Sequence, residues 1–448
     1  MSALIKSTRD LLRYPSAIIG LLSIGALLAI SAYALVTIPY SEATRLWRGG
    51  EDVWYQNPKY APPAWMNFFS NEKQPVSFAV SSKEGGGMTK TVTVGEQNTS
   101  TILITYSFDY AYDKFPQELI LYFKSSFQDK LPFVSVAWIT PSGERIRIAD
   151  LAVDRTQTFR ISQDQKLQKR LKTEDVLPAL FVEPKSESAS PVKGTYQIEI
   201  SAVTFEPDAD VDVEFVMHGT LYGPAGTDQY RRDLMLPLLW GTPIALAFGL
   251  LAALGTSLLT MIIAAIGSWY GGWIDELIQR ITEINLVLPF LAILIMVGTF
   301  YSRSIWVILG VTVLLSIFSG QIKTYRAVFM QSKVSPYIEA ARAYGTTDRR
   351  IIFSYLIPRM IPLLIPALVS SVPTFVFLEA SLAVLGLGDP VLPTWGKVIE
   401  NAFADGALYR GLYYWVLEPA VLLMLTGLGF AMLGFALDRI FNPRLRDI

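Results

Sequence analysis

The stretch that decides the fold is SPYIEAARAYGTTD, residues 335–348, which predicts a short helix, a turn and the start of a second helix. Ser335 is a residue type that caps helix N-termini, and Pro336 suits the first helical position because no hydrogen bond is lost there. Gly345 readily takes the left-handed conformation that ends a helix. Residues 335–350 therefore predict a compact helical connector.

The second helix is expected to be capped by Thr346 or Thr347, and Pro358 is expected to end or kink it. Small side chains on the first helix would let another surface approach closely; they are Ala340, Ala341 and Ala343. On these features alone, an ordinary amphipathic connector is the simpler interpretation.

Composition on either side of this segment is that of an integral membrane protein. Hydrophobic residues make up 51% of the 448 positions and charged residues 17%, whereas soluble domains are about a quarter charged. The mean hydropathy is +0.36. The 38 basic residues are balanced by 39 acidic ones, which argues against a nucleic-acid-binding chain.

Six apolar runs are long enough to cross a bilayer, whose core of about 30 Å needs about 20 helical residues. The runs are 17–38, 234–267, 284–300, 305–322, 361–387 and 414–437. Only residues 301–304 separate the third run from the fourth, which predicts a tight hairpin. The lipid bilayer is thus the first expected partner.

The positive charges near the runs predict the orientation, because cytoplasmic segments are enriched in Lys and Arg. Residues 323–359 hold seven basic side chains against Glu339 and Asp348, and both termini are also basic. The terminal basic residues are Lys6, Arg9, Arg13, Arg439, Arg444 and Arg446. With six spans, the termini and the 335–350 segment would face the cytoplasm of a cell-membrane protein, and residues 41–222 would lie outside.

An alternative makes the first apolar run a cleaved signal peptide, since Ala32-Tyr33-Ala34 fits a small-x-small cleavage site. The run is longer than the usual apolar core of such peptides. Cleavage would leave five spans and an external N-terminus.

Residues 41–222 form an inserted soluble domain in this interpretation. Short segments rich in β-branched and aromatic residues alternate there with Gly, Pro, Ser and Asp, which predicts strands and a β-sandwich. The segments are 89–94, 101–108, 119–123, 134–139, 196–200 and 211–217. Residues 163–171 predict a short helix or loop.

The chain contains few residues of the types that commonly serve in catalysis and metal binding. There is no cysteine, and His218 is the one histidine, so thiol catalysis, disulfides and zinc sites are disfavoured. We predict no catalytic residue, no metal site and no cofactor in the chain itself.

Five acidic residues alternate between 206 and 214 and would share one face if the segment were extended throughout; they are Glu206, Asp208, Asp210, Asp212 and Glu214. Calcium binding is conceivable, but Val213 and Gly219 stand where an EF-hand loop needs Gly and Glu. A solvated strand face is the simpler interpretation, with an acidic surface for a basic partner as a further alternative.

The spacing Glu339-Ala340-Ala341, Gly345, Tyr355 and Ile357-Pro358 resembles the cytoplasmic motif of permease subunits of ABC importers. Other stretches are similar to the C-type subunit of the dipeptide/oligopeptide branch; they are 226–228, 232–233, 270–275, 379–382, 385–388, 393–396 and 442–446. The resemblance covers 223–448, with a weaker match over 1–63. Arg231 stands where that branch has Gly, Tyr355 where it often has His, and the 41–222 domain replaces a much shorter loop.

The resemblance implies six transmembrane helices of the type I ABC importer permease fold, with the β-rich domain inserted between the first and the second. The expected domains are 1–40, the insertion 41–222, and the permease core 223–448. It also implies a second permease subunit (B-type), two cytoplasmic ATPases that bind ATP and magnesium, and an extracytoplasmic solute-binding protein. No phosphate-binding loop of the Gly-x-x-x-x-Gly-Lys-Ser/Thr type occurs in the sequence, so ATP hydrolysis is expected in the partners.

By the same resemblance, the 335–350 helix is a coupling helix that docks on one ATPase. Glu339 is the expected polar contact, Ala340 and Ala341 the close-packed positions, and Gly345 the turn. The transported solute is not identified by the sequence, although peptides fit the branch. The inserted domain inherits no role from the resemblance, and its position suggests the hypothesis that it docks or guides the solute-binding protein or replaces part of it.

Glu379 stands within the fifth apolar run, where a carboxylate costs several kcal/mol unless it is paired or wetted. A structural hydrogen bond is the favoured interpretation, and ion coupling or a substrate contact is the alternative.

Two other functional classes remain open from the sequence. An ion-coupled secondary carrier would use Glu379, but it predicts an inverted repeat that we do not find. A membrane-tethered receptor or enzyme would act through the inserted domain, which offers no recognisable nucleophile arrangement.

Overall fold

The computed structural model describes residues 14–83, 87–95, 99–182 and 190–441. They form two compact units. One contains the residues up to Arg48 and from Leu236 onward, and the other is Gly49–Met235. Lys6, Arg9, Arg13, Arg444, Arg446 and the predicted 442–446 motif lie outside the described residues.

The first unit, here called the membrane unit, is built of helices. They are α1 (Pro15–Thr37), α2 (Tyr40–Arg48), α5 (Met235–Tyr270), α6 (Gly272–Val287), α7 (Phe290–Phe300), α8 (Ile305–Ile317), α9 (Gln321–Lys333), α10 (Pro336–Ala343), α11 (Ile357–Leu382), α12 (Trp395–Ala404) and α13 (Tyr414–Phe441). A helical turn, Asp348–Arg350, and a π-helical turn, Ile351–Leu356, lead directly into α11.

Four helical stretches of the described chain are long and apolar enough to cross a membrane: Pro15–Thr37, Met235–Tyr270, Asp348–Leu387 and Tyr414–Phe441. They correspond to the first, second, fifth and sixth predicted runs. The third and fourth runs are not single straight helices. The third bends by 78° between α6 and α7, and the fourth bends by 47° between α8 and α9.

The third run bends because Pro289 interrupts it, and the residue before a proline is pushed out of the helical region. Leu288 accordingly has an extended backbone, with φ −65° and ψ 136°. The predicted hairpin between α7 and α8 is present, since α7 ends at Phe300 and α8 begins at Ile305.

Pro358 does not end the second helix, which was one of the two predicted outcomes. It stands in the first turn of α11, where the absent N–H is tolerated, and the wider π-helical turn immediately precedes it. The helix then continues through Pro362, Pro366 and Pro373.

Glycines allow helices α1 and α13 to pack at close range. A Cβ atom added to Gly20 would lie 2.8 Å from the carbonyl oxygen of Gly429, and one added to Gly429 would lie 2.9 Å from Cβ of Ser23. Helix α12 is fixed to α5 in a similar way. The Trp395 indole N–H donates to the Leu238 carbonyl at 3.0 Å, and its ring fills the space beside Gly241.

The second unit, here called the β-unit, contains two antiparallel sheets. Its strands are β1 (Phe78–Ser81), β2 (Thr89–Val94), β3 (Ser100–Tyr110), β4 (Glu118–Ser126), β5 (Phe133–Ile139), β6 (Arg145–Ala152), β7 (Thr156–Arg160), β8 (Gly194–Thr204) and β9 (Asp210–His218). One sheet has the order β1-β9-β4-β7 and the other β2-β3-β8-β5-β6. All six predicted strand segments are strands.

Two short helices, α3 (Gln165–Leu171) and α4 (Val176–Phe181), complete the β-unit. Both sheets contribute to one aromatic core, in which Trp138 of β5 contacts Phe108 of β3 at 5.8 Å and Phe215 of β9 at 6.4 Å between ring centroids. The β-unit extends further along the chain than the predicted 41–222. Residues between Tyr222 and Arg231 hydrogen-bond with residues 57–64 and so belong to it.

Candidate functional site

Helix α10 has the ends that its sequence predicts. Ser335 is the N-cap residue in an extended conformation, although its side chain makes no capping bond, and Pro336 takes the first position. Gly345 has a φ of 73°, and the N–H groups of Gly345 and Thr346 donate to the carbonyls of Arg342 (2.9 Å) and Ala341 (3.1 Å). This pair of bonds is a Schellman motif, which requires a left-handed residue at Gly345.

One face of α10 is buried in the membrane unit and the other is exposed. Ile338 and Ala341 lie in a core cluster with residues of α5, α9 and α11. Glu339 and Ala340 are exposed, as is Tyr344, which keeps 90% of its accessible surface. Ala341 therefore cannot lie on the outer surface of the helix, contrary to the prediction, because it packs against its own chain.

Basic side chains attach α10 and the end of α9 to the C-terminal end of α5. The Lys333 ammonium donates to the carbonyls of Ser268 (3.0 Å) and Trp269 (2.6 Å), which have no partner within the helix. The positive charge also complements the dipole at this helix end. The Arg342 guanidinium lies over the Trp269 ring, 4.3 Å from its centroid.

An ion pair between α9 and α6 adds to this attachment, and sequence reasoning missed it. Arg326 Nε donates to Asp275 Oδ1 at 2.7 Å, and Asp275 is buried. Asp275 belongs to the 270–275 stretch of the resemblance, but nothing in the sequence links it to Arg326. The connector from α9 to α11 is thus bound to the spans at several points.

A cavity of about 760 Å³ lies where the two bent helix pairs break. Phe290 begins α7 just after the 78° bend, and Ser319, Gly320 and Gln321 stand at the 47° bend. The rest of the lining comes from α5, α8 and α11: Thr256, Ser257, Ser316, Ser371, Thr374, Phe375, Phe377, Leu378 and Ser381. Irregular backbone at membrane depth is tolerated where it lines such a cavity.

The chemistry of this lining is polar but uncharged. Seven of its side chains carry hydroxyl groups, one carries an amide, and none of the lining residues in the described part of the chain is acidic or basic. Such a surface can donate and accept hydrogen bonds without selecting for charge. In the sequence, the signal for this lining was the presence of Ser and Thr inside apolar runs. Only the assembled helices show that these residues meet at one cavity.

Glu379 is buried and does not line the cavity, although its neighbours Leu378 and Ser381 do. The Thr394 hydroxyl lies within hydrogen-bonding reach of its carboxylate. Thr394 caps α12, where its oxygen also accepts the Lys397 N–H at 3.2 Å. This placement supports the structural interpretation of Glu379.

The acidic residues of 206–214 do not form one strand face, because β9 begins only at Asp210. Glu206 lies in the preceding connection and accepts backbone N–H groups of residues 128–130. Asp210 and Asp212 pair with Lys90 at 2.7 and 2.9 Å, and Glu214 accepts the Tyr55 hydroxyl at 2.8 Å. The described residues contain no group of three or more His, Cys, Asp or Glu arranged to hold a metal ion.

The segment that leads into α5 contains buried charge. Asp228 pairs with Arg232 at 2.6 Å, and burial raises the pKa of Asp228 while Arg232 opposes that rise. Asp233 caps α5 by accepting the Met235 N–H at 2.8 Å. Burial raises the pKa of Asp233 to about 6. The residues of the 226–233 stretch thus hold the start of α5 in place.

Residues 256–447 match the family model described as the binding-protein-dependent transport system inner membrane component. The match confirms the resemblance predicted from the spacing around Glu339, and together with the relatives it supports a permease subunit of an ABC peptide importer. The β-unit lies outside the matched residues.

Several relatives match about half of the chain or somewhat less. The dipeptide transport system permease protein of Alkalihalophilus pseudofirmus is 28% identical over 236 residues, covering 51% of this chain and 75% of the relative. The glutathione transport system permease protein of Pectobacterium atrosepticum is 28% identical over 50% of this chain and 73% of the relative. The peptidoglycan transport system permease protein of Agrobacterium fabrum is 31% identical over 39% of this chain and 46% of the relative.

Proposed function

We propose that the chain forms half of the translocation pathway of an ATP-driven importer for peptides or similar solutes. The observation that carries this proposal is helix α10, which is exposed on one face and attached on the other to the helices that line the cavity. Ile338 and Ala341 pack with the π-helical turn before α11, and Arg342 and Lys333 contact the end of α5. Helices α5 and α11 both line the cavity.

These contacts suggest how force would pass through the subunit. Residues 256 and 269 of α5 are separated by about 20 Å at the usual rise of a helix. A rigid displacement of α10 would therefore move the hydroxyl-bearing residues of α5 and α11 together. In this proposal, ATP-driven closure of two ATPase subunits displaces α10 and switches the access of the cavity between the two sides.

The partners follow from the same proposal. A second, B-type permease subunit completes the pathway, the two ATPases bind ATP and magnesium, and an extracytoplasmic binding protein delivers the solute. Glu339 and Ala340 are exposed on α10 and are the proposed ATPase contacts. Gly345 supports the turn that presents them.

The proposed topology has six spans, counting each bent pair as one. The termini and α10 would then face the cytoplasm, and the β-unit would lie on the extracytoplasmic side, where we propose that it meets the binding protein. The positive charge of the 323–359 segment supports this orientation. The close packing of α1 on α13 supports counting α1 among the spans.

The hydroxyl-lined cavity supports a peptide-like cargo, because Ser, Thr and Gln side chains match the amide groups of a peptide backbone. An ion-coupled carrier is less well supported, since Glu379 does not line the cavity. An enzyme acting through the β-unit has no observation in its favour.

A substitution at the α10 turn tests the proposal. Gly345→Asp introduces a side chain at a φ of 73° and adds negative charge to the exposed surface. We expect loss of uptake and weaker association with the ATPases at normal membrane levels of the protein. Uptake by the assembled transporter and co-purification of the ATPases are the measurements.

Gly411→Asp is the matched control. Gly411 has a φ of 75°, and a Cβ there, as at Gly345, would meet nothing within 4 Å. It lies between α12 and α13, away from α10 in the chain, so the same strain should leave ATPase association intact. Unchanged transport in the Gly345 variant would refute the coupling role.

A further inference from the structure

An apolar patch protrudes from the segment that enters the β-unit. It is formed by Trp65, Met66, Phe68 and Phe69, of which the first three belong to the 3₁₀-helix Ala64–Phe68. Phe68 and Phe69 keep 87% and 84% of their accessible surface, and Trp65 and Met66 keep 43% and 40%. Two neighbouring phenylalanines this exposed are costly in water, since burying one typically yields about 1.5–3 kcal/mol.

The patch is held in this conformation rather than left loose. Asn67, between its members, donates from Nδ2 to the Gln74 carbonyl at 2.8 Å and accepts the Gln74 N–H at 2.9 Å. The Phe69 N–H donates to the Met66 carbonyl, and the Trp65 and Phe69 rings meet edge to face at 6.2 Å. The local hydrogen bonds therefore fix the aromatic side chains outward.

The patch is also hydrogen-bonded to the segment of the β-unit that leads into α5. The Trp65 indole N–H donates to the Pro224 carbonyl at 3.0 Å, and the Ala64 N–H donates to Gly223 at 2.8 Å. Two residues beyond Pro224, the Gly226 carbonyl accepts the Leu234 N–H at 3.1 Å. Leu234 directly precedes the first residue of α5, so the patch is tied to the end of the β-unit from which that span departs.

The composition of the patch fits a lipid surface. Residues 61–69 contain no charged side chain, and they combine Trp, Phe and Met with two prolines and two alanines. Tryptophan is enriched where membrane proteins meet the interfacial region of the bilayer, because its ring is apolar and its N–H is polar.

We propose that Trp65, Met66, Phe68 and Phe69 insert into the headgroup region of the adjacent bilayer leaflet and hold the β-unit against the membrane. The partner is the phospholipid surface, and the contact is made by this chain alone. The proposal does not depend on the direction of transport or on the nature of the solute.

The absence of cysteine from the sequence makes a direct test possible. In Phe69→Cys the new thiol is the sole one in the chain, and it replaces an exposed side chain, so folding should be unaffected. The full chain, spin-labelled there, is placed in nanodiscs of phosphatidylethanolamine and phosphatidylglycerol. Collision rates of the label with oxygen and with a water-soluble nickel chelate are then measured.

Val94→Cys is the matched control, because Val94 is 79% exposed on strand β2 of the same unit. We expect the ratio of oxygen to nickel accessibility to be severalfold higher at position 69 than at position 94. Equal ratios at the two positions would show that the patch faces water and would overturn the proposal. Dipolar broadening between labels at position 69 would also overturn it, since the patch would then bind a second copy.

Discussion

Arg231 has a left-handed backbone conformation, with a φ of 65°, at the position where the resembling permeases have glycine. An L-residue in this conformation costs about 1–2 kcal/mol relative to glycine. The side chain offsets part of that cost, since Arg231 Nη1 donates to the Asn57 carbonyl at 2.7 Å and the Asn57 amide donates back to the Arg231 carbonyl at 3.0 Å. Arg231 thus takes a left-handed conformation, which glycine adopts readily, and contacts with Asn57 accompany it.

Comparing two substitutions separates the backbone cost from the side-chain contacts. Arg231→Ala loses the guanidinium contact and keeps the strain, whereas Arg231→Gly loses the same contact and relieves the strain. We expect the glycine variant to be more stable than the alanine variant by about 1 kcal/mol. Thermal unfolding of the purified full chain measures the difference, and equal stability would show that the strain is negligible.

Asp233 makes the stability of the β-unit depend on pH, and the direction of its pKa shift gives the sign of that dependence. Its pKa is raised by burial from the ordinary 3.8 to about 6, so the folded state holds the proton more tightly than the unfolded state. The contribution of this site to the free energy of unfolding is therefore greatest below about pH 4. It falls by at most about 3 kcal/mol as the pH rises toward 6, and it stays low above that pH.

Asp233→Asn should remove that loss, because the amide oxygen can still accept the Met235 N–H but carries no charge. We expect the variant to unfold at a higher temperature than the unsubstituted chain near pH 7 and at a similar temperature near pH 4. An equal difference at both pH values would contradict the assignment.

At the scale of elements, the strands show what sequence patterns can and cannot predict. Strands with alternating β-branched and aromatic residues were predicted correctly, as in β3 and β8. The sequence patterns did not predict β6, whose exposed positions include Arg145 and Arg147, or the short strands β1 and β7. Their pairing depends on partners distant in the chain, which local patterns do not contain.

The bent spans illustrate the same limit. Apolar composition predicted the third and fourth runs as membrane segments. That prediction took no account of Pro289, which interrupts the third run. The cavity was not predicted at all, because it exists only where the two bends meet α5 and α11. Its hydroxyl groups are separated by more than 100 positions in the chain, from Thr256 to Ser381. By contrast, α10 and its Gly345 turn were predictable because capping is local.

Two glycines in α1 allow a controlled test of helix packing. A Cβ at Gly20 would lie 2.8 Å from backbone atoms of α13, whereas one at Gly25 would meet nothing within 4 Å. Gly20→Val should destabilise the membrane unit by about 1–3 kcal/mol, as overpacking usually does. Gly25→Val makes the same substitution in the same helix as Gly20→Val, and it should change stability little. Thermal unfolding in detergent distinguishes the two, and equal losses would argue against close packing of α1 on α13.

At the scale of the whole molecule, the chain separates the proposed tasks between its two units. The membrane unit holds the cavity and α10, and the family match covers only residues of this unit. The β-unit has its own aromatic core and sheets. Changes to the cavity should therefore affect transport without affecting the β-unit.

Ser381→Trp tests the cavity. Ser381 is exposed and lines the cavity, so the larger ring should fill the pathway without disturbing the core. We expect peptide uptake to fall at least about tenfold, equivalent to about 1.4 kcal/mol, while the membrane level stays normal. Leu385→Trp, at a position 54% exposed one turn further along, is the control and should retain uptake. Comparable uptake in both variants would exclude the cavity as the pathway.

The contact between α1 and α13 also has a consequence for biosynthesis. The ribosome makes the first of these helices long before the second, with the entire β-unit and every other span in between. The glycine face of α1 must therefore stay without its partner helix until α13 has been made. Maturation of the membrane unit is thus tied to the synthesis of α13, and a nascent chain that stops before it exposes the unpaired face of α1 to quality-control proteases.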